Sequence, residues 1–132
     1  MNTKIKKNIV IKIGTSSIIK NDKVDSTLLE NLVDLVKEYK DQFNFVIVTS
    51  GAVGLGAAKL NYKSRPKSLK RLQVASAVGQ IELINQYEKI FKEKNLHIAQ
   101  VLITKNLIDD REQFVNTTQA LNELLSQGII PV

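Results

Sequence analysis

Two short β-branched runs, each leading into a cluster of glycine and hydroxyl residues, constrain this chain more than any other feature. Residues 9–13 read IVIKI and lead into Gly14-Thr15-Ser16-Ser17; residues 43–48 read FNFVIV and lead into Thr49-Ser50-Gly51. Apolar runs of this length indicate strands buried in a parallel sheet. Between them, residues 26–39 place Leu28, Leu29, Leu32, Leu35 and Val36 at helical spacing. Thr27 and Glu30 fit a capping box at the start of that helix.

The alternation continues. Residues 51–60 are rich in alanine and glycine and open a helix, residues 62–66 form a loop, and residues 68–91 carry a long helical pattern with Leu69, Leu72, Val74, Ala75, Val78, Ile81, Leu83, Ile84, Tyr87 and Phe91 mostly on one side. Residues 97–104 read as a third strand. Residues 110–126 read as a helix with Gly128 as its C-cap, and residues 129–132 begin a fourth strand. The order β-α-β-α-α-β-α-β implies an α/β fold with a mostly parallel sheet. The chain has 132 residues and is 43% hydrophobic, enough for one domain with a real core. It ends inside an apolar strand, so residues 1–132 are expected to be the N-terminal part of a longer domain.

Composition removes several chemistries. There is no cysteine and one histidine, His97, which excludes disulfides, thiolate catalysis and metal sites built from cysteine or several histidines. The basic N-terminus leads into an apolar stretch broken by Lys12, so it has no signal-peptide core, and no run approaches a membrane span. A soluble cytoplasmic protein without a membrane partner is expected. The net charge of +6 invites a nucleic-acid reading. The lysines are scattered, however, and the densest basic stretch, KSRPKSLKR at residues 63–71, reads as solvated surface, so nucleic acid is not the expected partner. Asp109-Asp110-Arg111-Glu112 is read as the first turn of a helix rather than a metal site, and no metal ligand is assigned.

Ligands of open parallel sheets sit at the carboxyl ends of the strands. Lys12 lies inside an apolar run, where a buried charge needs a partner or a bound anion; alternatively, it sits on an edge strand and reaches solvent by its stem. Gly14, Thr15, Ser16 and Ser17 offer close backbone approach and hydroxyl donors, a possible phosphate cradle. Ser50, Gly51 and Ala52 follow a strand and open a helix, a position that favours an anion. The glycines fall as G-x-x-G-x-G, which is neither the dinucleotide fingerprint nor a P-loop, and the alternative is close packing of a small-residue helix. Gly79, inside the long helix, costs about 1 kcal/mol against alanine and points to close backbone approach, by another element before a ligand.

The stretches IVIKIGTSS, VIVTSGAVGLG, LQVASAVGQIELINQYEKIF and VLITKNLIDDREQFVNTTQALNELL, followed by IIPV, occur in an order that resembles the glutamate 5-kinases of the amino-acid kinase family. SGAVGLG and AVGQ favour this branch over the aspartate, carbamate and nucleotide-monophosphate kinases. The resemblance implies a truncated amino-acid kinase fold, an αβα sandwich. It also implies ATP-dependent phosphorylation of the side-chain carboxylate of L-glutamate to glutamyl 5-phosphate, the first step of proline biosynthesis, with ATP and Mg²⁺ as cofactors. Lys12 matches the catalytic lysine that contacts ATP phosphates. Gly14, Thr15 and Ser16 match the phosphate-facing loop, and Ser50, Gly51 and Ala52 match the turn that binds glutamate. The nucleotide-binding half and its second lysine have no counterpart here, so the chain alone is expected to be inactive, and the full-length protein is expected to be a homo-oligomer. The competing readings are an amino-acid kinase with a different acceptor and a non-catalytic binding or interaction module.

Overall fold

The computed structural model describes residues 6–107 and 109–132. Strand β1 (Lys7–Ile13) and strand β4 (Phe43–Thr49) pair in parallel, from Lys7 opposite Phe43 to Ile13 opposite Thr49. Between them come a single helical turn α1 (Thr15–Ile18), a small hairpin of β2 (Ile19–Lys20) and β3 (Lys23–Val24), and helix α2 (Ser26–Tyr39). Helices α3 (Ala52–Lys59) and α4 (Leu69–Glu93) follow β4; then come β5 (Ile98–Ala99), a 3-10 turn, α5 (Arg111–Ser126) and β6 (Ile130–Pro131). Strand β6 pairs in parallel with β5 and lies beside β4, which gives the spatial order β1-β4-β6-β5. Right-handed crossovers on that order put α2, α3 and α4 on one face and α5 on the other. The result is the α/β, three-layer arrangement that the sequence implies.

The core fills the space between the sheet and the first helical layer. Leu29, Leu32, Val33 and Val36 of α2 meet Phe45 and Ile47 of β4 and Leu83, Tyr87, Ile90 and Phe91 of α4. In β1, Ile9, Ile11 and Ile13 alternate toward this core, whereas Val10 and Lys12 alternate away from it. The expectation of a strand buried on both faces is therefore corrected. Val10 is 63% exposed and Val48 of β4 is 47% exposed, because α5 packs chiefly against β6 and leaves the outer face of β1–β4 open. Lys12 shares that face and is exposed. It is not a buried charge, and its stem reaches solvent.

Three further details differ from the sequence reading. Helix α2 is capped by Asp25, whose carboxylate accepts from the Leu28 N–H at 3.2 Å, and not by a box built on Thr27. Lys20 of the hairpin pairs with the same carboxylate; that ion pair, followed by the Leu28 N–H, holds Asp25 below the usual carboxylate range. The hairpin turns at Asn21 and Asp22, both with positive φ (49° and 61°), as a two-residue type I′ turn requires. The third strand is shorter than the apolar run at residues 97–104. Its ladder covers Ile98–Ala99, the Val101 N–H donates to the Val132 carbonyl, and Leu102 and Ile103 are exposed.

Helices α3 and α4 approach each other at backbone distance. A Cβ placed on Gly79 would sit 1.8 Å from the Ala52 carbonyl oxygen, and one on Gly56 would sit 1.7 Å from that of Ala75. Both obstacles are backbone, so neither can step aside without moving a helix. Gly79→Ala would gain about 1 kcal/mol in helix propensity but lose about 1–3 kcal/mol or more to overpacking. The expected outcome is a melting temperature several degrees lower by circular dichroism, with the backbone amides of residues 50–52 displaced in the NMR spectrum. An unchanged or raised melting temperature would show that the helices have room to separate.

Candidate functional site

The carboxyl ends of β1 and β4 and the helices that follow them enclose a cavity of about 330 Å³. Its walls are Thr15 from α1; Thr49 and the Ser50-Gly51-Ala52-Val53-Gly54 turn; Arg65 from the loop before α4; and Ser76, Gln80 and Leu83 of α4. The volume is at the small end of ligand sites, which run from about 300 to 1,000 Å³. It suits a small metabolite better than a nucleotide.

The turn that forms its floor is held from three sides. The Ser50 N–H donates to the Ile13 carbonyl at 3.0 Å, which ties the turn to the end of β1. Gly51 has φ 115°, a conformation that calls for glycine, and a Cβ there would also press on the side chains of Ile19 and Ile18 at 3.0–3.2 Å. Tyr87, fully buried, donates its O–H to Thr49 Oγ1 at 2.9 Å, and Thr49 Oγ1 donates to the Ser50 carbonyl at 3.2 Å.

The start of α3 differs from the other long helices. Helices α2, α4 and α5 begin under side-chain caps from Asp25, Ser68 and Asp110, whereas α3 begins at Gly51 with none. The first N–H groups of a helix have no partner within it, and in α3 the residues that bear them, Ala52, Val53 and Gly54, line the cavity. Among the described residues, the side chains of Thr15, Ser50, Arg65, Ser76 and Gln80 take part in no hydrogen bond or ion pair. These converging polar groups are not used by the fold and are free to bind a ligand.

The structure divides the residues singled out from sequence into two sets. Thr15, Ser50, Gly51 and Ala52 line the cavity; Lys12, Gly14 and Ser16 do not. Gly14 has φ −78°, its carbonyl accepts from the Ser17 and Ile18 N–H groups, and a Cβ there would meet nothing within 4 Å. The packing of the described residues does not itself call for glycine at that position. Sequence reasoning missed three polar wall residues. Arg65 was absorbed into the basic run, and Ser76 and Gln80 into the helical pattern, although they stand four apart around the flagged Gly79 and so share one face of α4. His97 is exposed just before β5, away from the cavity walls. Asp110 caps α5 by accepting from the Gln113 N–H at 3.1 Å, and among the described residues no group of three or more His, Cys, Asp or Glu could hold a metal ion. No described helix is long and apolar enough to cross a membrane.

Burial pushes the Tyr87 phenol up to about 12, against the smaller opposing effect of its hydrogen bond to Thr49. The unfolded chain would ionise this group near pH 10 while the folded chain holds the proton, so stability falls as pH rises from about 10 toward 12. The linkage amounts to about 2–3 kcal/mol. Chemical denaturation across that range should show a shallower alkaline loss in Tyr87→Phe than in the parent chain. Parallel pH profiles would contradict the assigned burial of the phenol.

The amino acid kinase family model matches residues 7–132. A glutamate 5-kinase of Prochlorococcus marinus (strain MIT 9301) is 44% identical over 129 residues, which is 96% of this chain and 36% of that protein. A glutamate 5-kinase of Haemophilus influenzae (strain PittEE) is 40% identical over 129 residues, 96% of this chain and 35% of that protein. The chain thus spans about a third of the length of the curated relatives it matches. With the match running from β1 through β6 and taking in both the Ser50 turn and the α3–α4 contact, the chain belongs to the amino acid kinase family.

Proposed function

We propose that this chain is the acceptor-binding part of a kinase that transfers the γ-phosphoryl group of ATP to the side-chain carboxylate of L-glutamate. The product would be glutamyl 5-phosphate, the first intermediate on the way to proline, made in the cytoplasm. The observation that carries this reading is the small cavity at the uncapped start of α3, with Ser50, Ser76, Gln80 and Arg65 unengaged around it. The likeness to glutamate 5-kinases supplies the identity of the acceptor and the donor.

The chemistry asks little of the protein beyond alignment and charge. A glutamate side chain is deprotonated at neutral pH, with an ordinary pKa of about 4.3, so it attacks the phosphorus without a general base. The protein must hold two anions in line and offset charge on the transferring group. The Ser50 hydroxyl and the open N–H groups of α3 orient the acceptor. Lys12, exposed at the carboxyl end of β1, is free to meet donor phosphates that approach from outside the cavity. Gly14, with open space where a side chain would stand, leaves room for a phosphate at the backbone, beside Thr15 and Ser16. No group of acidic side chains among the described residues fits a Mg²⁺ ion; the ion fits this reading as one carried on nucleotide phosphates.

A fusion of residues 1–132 to the remaining C-terminal part of the Haemophilus relative tests the reading. The fusion should release ADP in a glutamate-dependent way. The 132-residue chain alone should show neither turnover nor micromolar binding of Mg-ATP by calorimetry. In the fusion, Lys12→Ala should lower kcat on the order of 10²-fold or more with little change in melting temperature, because Lys12 is not part of the core. ADP release by the chain alone would place the nucleotide site within these residues. Near-normal kcat in Lys12→Ala would remove that lysine from the mechanism.

A further inference from the structure

We propose that Arg65 recognises the carboxylate of the acceptor that does not react, an assignment that rests on reading the cavity as the acceptor site. Arg65 is the only charged residue among the described ones that line the cavity. The fold does not use its guanidinium, which is exposed and has no ion pair or hydrogen bond among the described residues. Arg71 lies over the Tyr62 ring at 5.7 Å; Lys63, Lys67 and Lys70 are also without an ion pair among the described residues, but unlike Arg65 they do not line the cavity. The backbone of Arg65 is nonetheless restrained. It precedes Pro66, which is buried, and a residue before proline is held to extended conformations. A buried proline therefore anchors an exposed arginine at the cavity wall.

The charge distribution supports an anionic ligand. Residues 42–83, which contribute every wall residue but Thr15, hold six of the nineteen basic residues and one of the thirteen acidic ones, Glu82. The other thirteen basic residues nearly balance the other twelve acids, so five of the six net positive charges belong to the segment that builds most of the cavity. A potential of one sign focused at a cleft draws in ligands of the opposite sign and weakens with salt. The planar fork of arginine matches a carboxylate with two parallel hydrogen bonds. On the attacking carboxylate, such a clamp would neutralise the nucleophile. The geometry that keeps phosphoryl transfer possible puts the guanidinium on the other carboxylate and leaves the reacting one to the donor side.

Two ligands that differ in that carboxylate test the assignment. 4-Aminobutyrate keeps the reacting carboxylate of glutamate and lacks the other one. Each is titrated into the ¹⁵N-labelled chain at low ionic strength, with the residue 50–52 amides as the readout. The parent chain should bind L-glutamate more tightly than 4-aminobutyrate. Arg65→Gln should weaken L-glutamate about tenfold or more and leave 4-aminobutyrate unchanged, and Arg65→Lys should recover part of the loss. The same spectra report whether each variant is folded. Equal losses for both ligands, or unchanged glutamate binding in Arg65→Gln, would overturn the role of Arg65 while the acceptor site stands. Absence of saturable shifts at residues 50–52 in the parent chain would instead remove the acceptor reading itself.

Discussion

The backbone contact between α3 and α4 governs the geometry of the whole site. Two glycines, Gly56 and Gly79, each face a backbone carbonyl at a distance that leaves no space for a methyl group. The contact fixes the separation of the helices as hard-sphere packing does, with little tolerance for drift. Helix α3 supplies the floor of the cavity through its first turn, and α4 supplies the wall through Ser76 and Gln80. Because Gly79 abuts the carbonyl of Ala52, the start of α3 is positioned directly by the middle of α4. Tyr87, two turns further along α4, then holds the same turn from below through Thr49. One helix thus sets both the width of the cavity and the orientation of the Ser50 peptide.

That rigidity is matched by an omission. A cap on α3 would stabilise the helix by about 1 kcal/mol, as the caps on its neighbours do, but it would occupy the N–H groups that face the cavity. Uncapped N–H groups, an unpaired hydroxyl at Ser50 and an unpaired guanidinium at Arg65 are tolerated because the cavity is open to water. Binding a carboxylate would satisfy groups that folding leaves free.

Much of this was legible in the sequence, for identifiable reasons. Strands β1 and β4 announced themselves through β-branched runs ending in glycine and hydroxyl clusters, and Gly79 announced close approach through its cost inside a helix. Helix α5 was found by periodicity and capped as its first turn suggested. The solvent-exposed state of Lys12 was not settled, because an apolar run reads as buried on both faces whether or not a second layer covers it. Likewise, the apolar run at residues 97–104 reads as one strand, whereas its ladder covers Ile98–Ala99 and Leu102 and Ile103 are exposed. The hairpin at residues 19–24 is short, and its one signal was the Asn21-Asp22 pair. Arg65 escaped notice because a basic run describes composition, whereas its role depends on which member of the run the buried Pro66 holds against the cavity.

The central claim is that the cavity at the start of α3 receives a small dicarboxylate acceptor and not a nucleotide. A crystal structure of the chain soaked with L-glutamate, and separately with Mg-ATP, tests it most directly. The account predicts ordered glutamate in the cavity, with carboxylate oxygens about 2.7–3.2 Å from the Ser50 hydroxyl or the first N–H groups of α3, and no nucleotide there. Phosphates of ATP ordered against the Ser50 turn, with glutamate bound elsewhere, would contradict it.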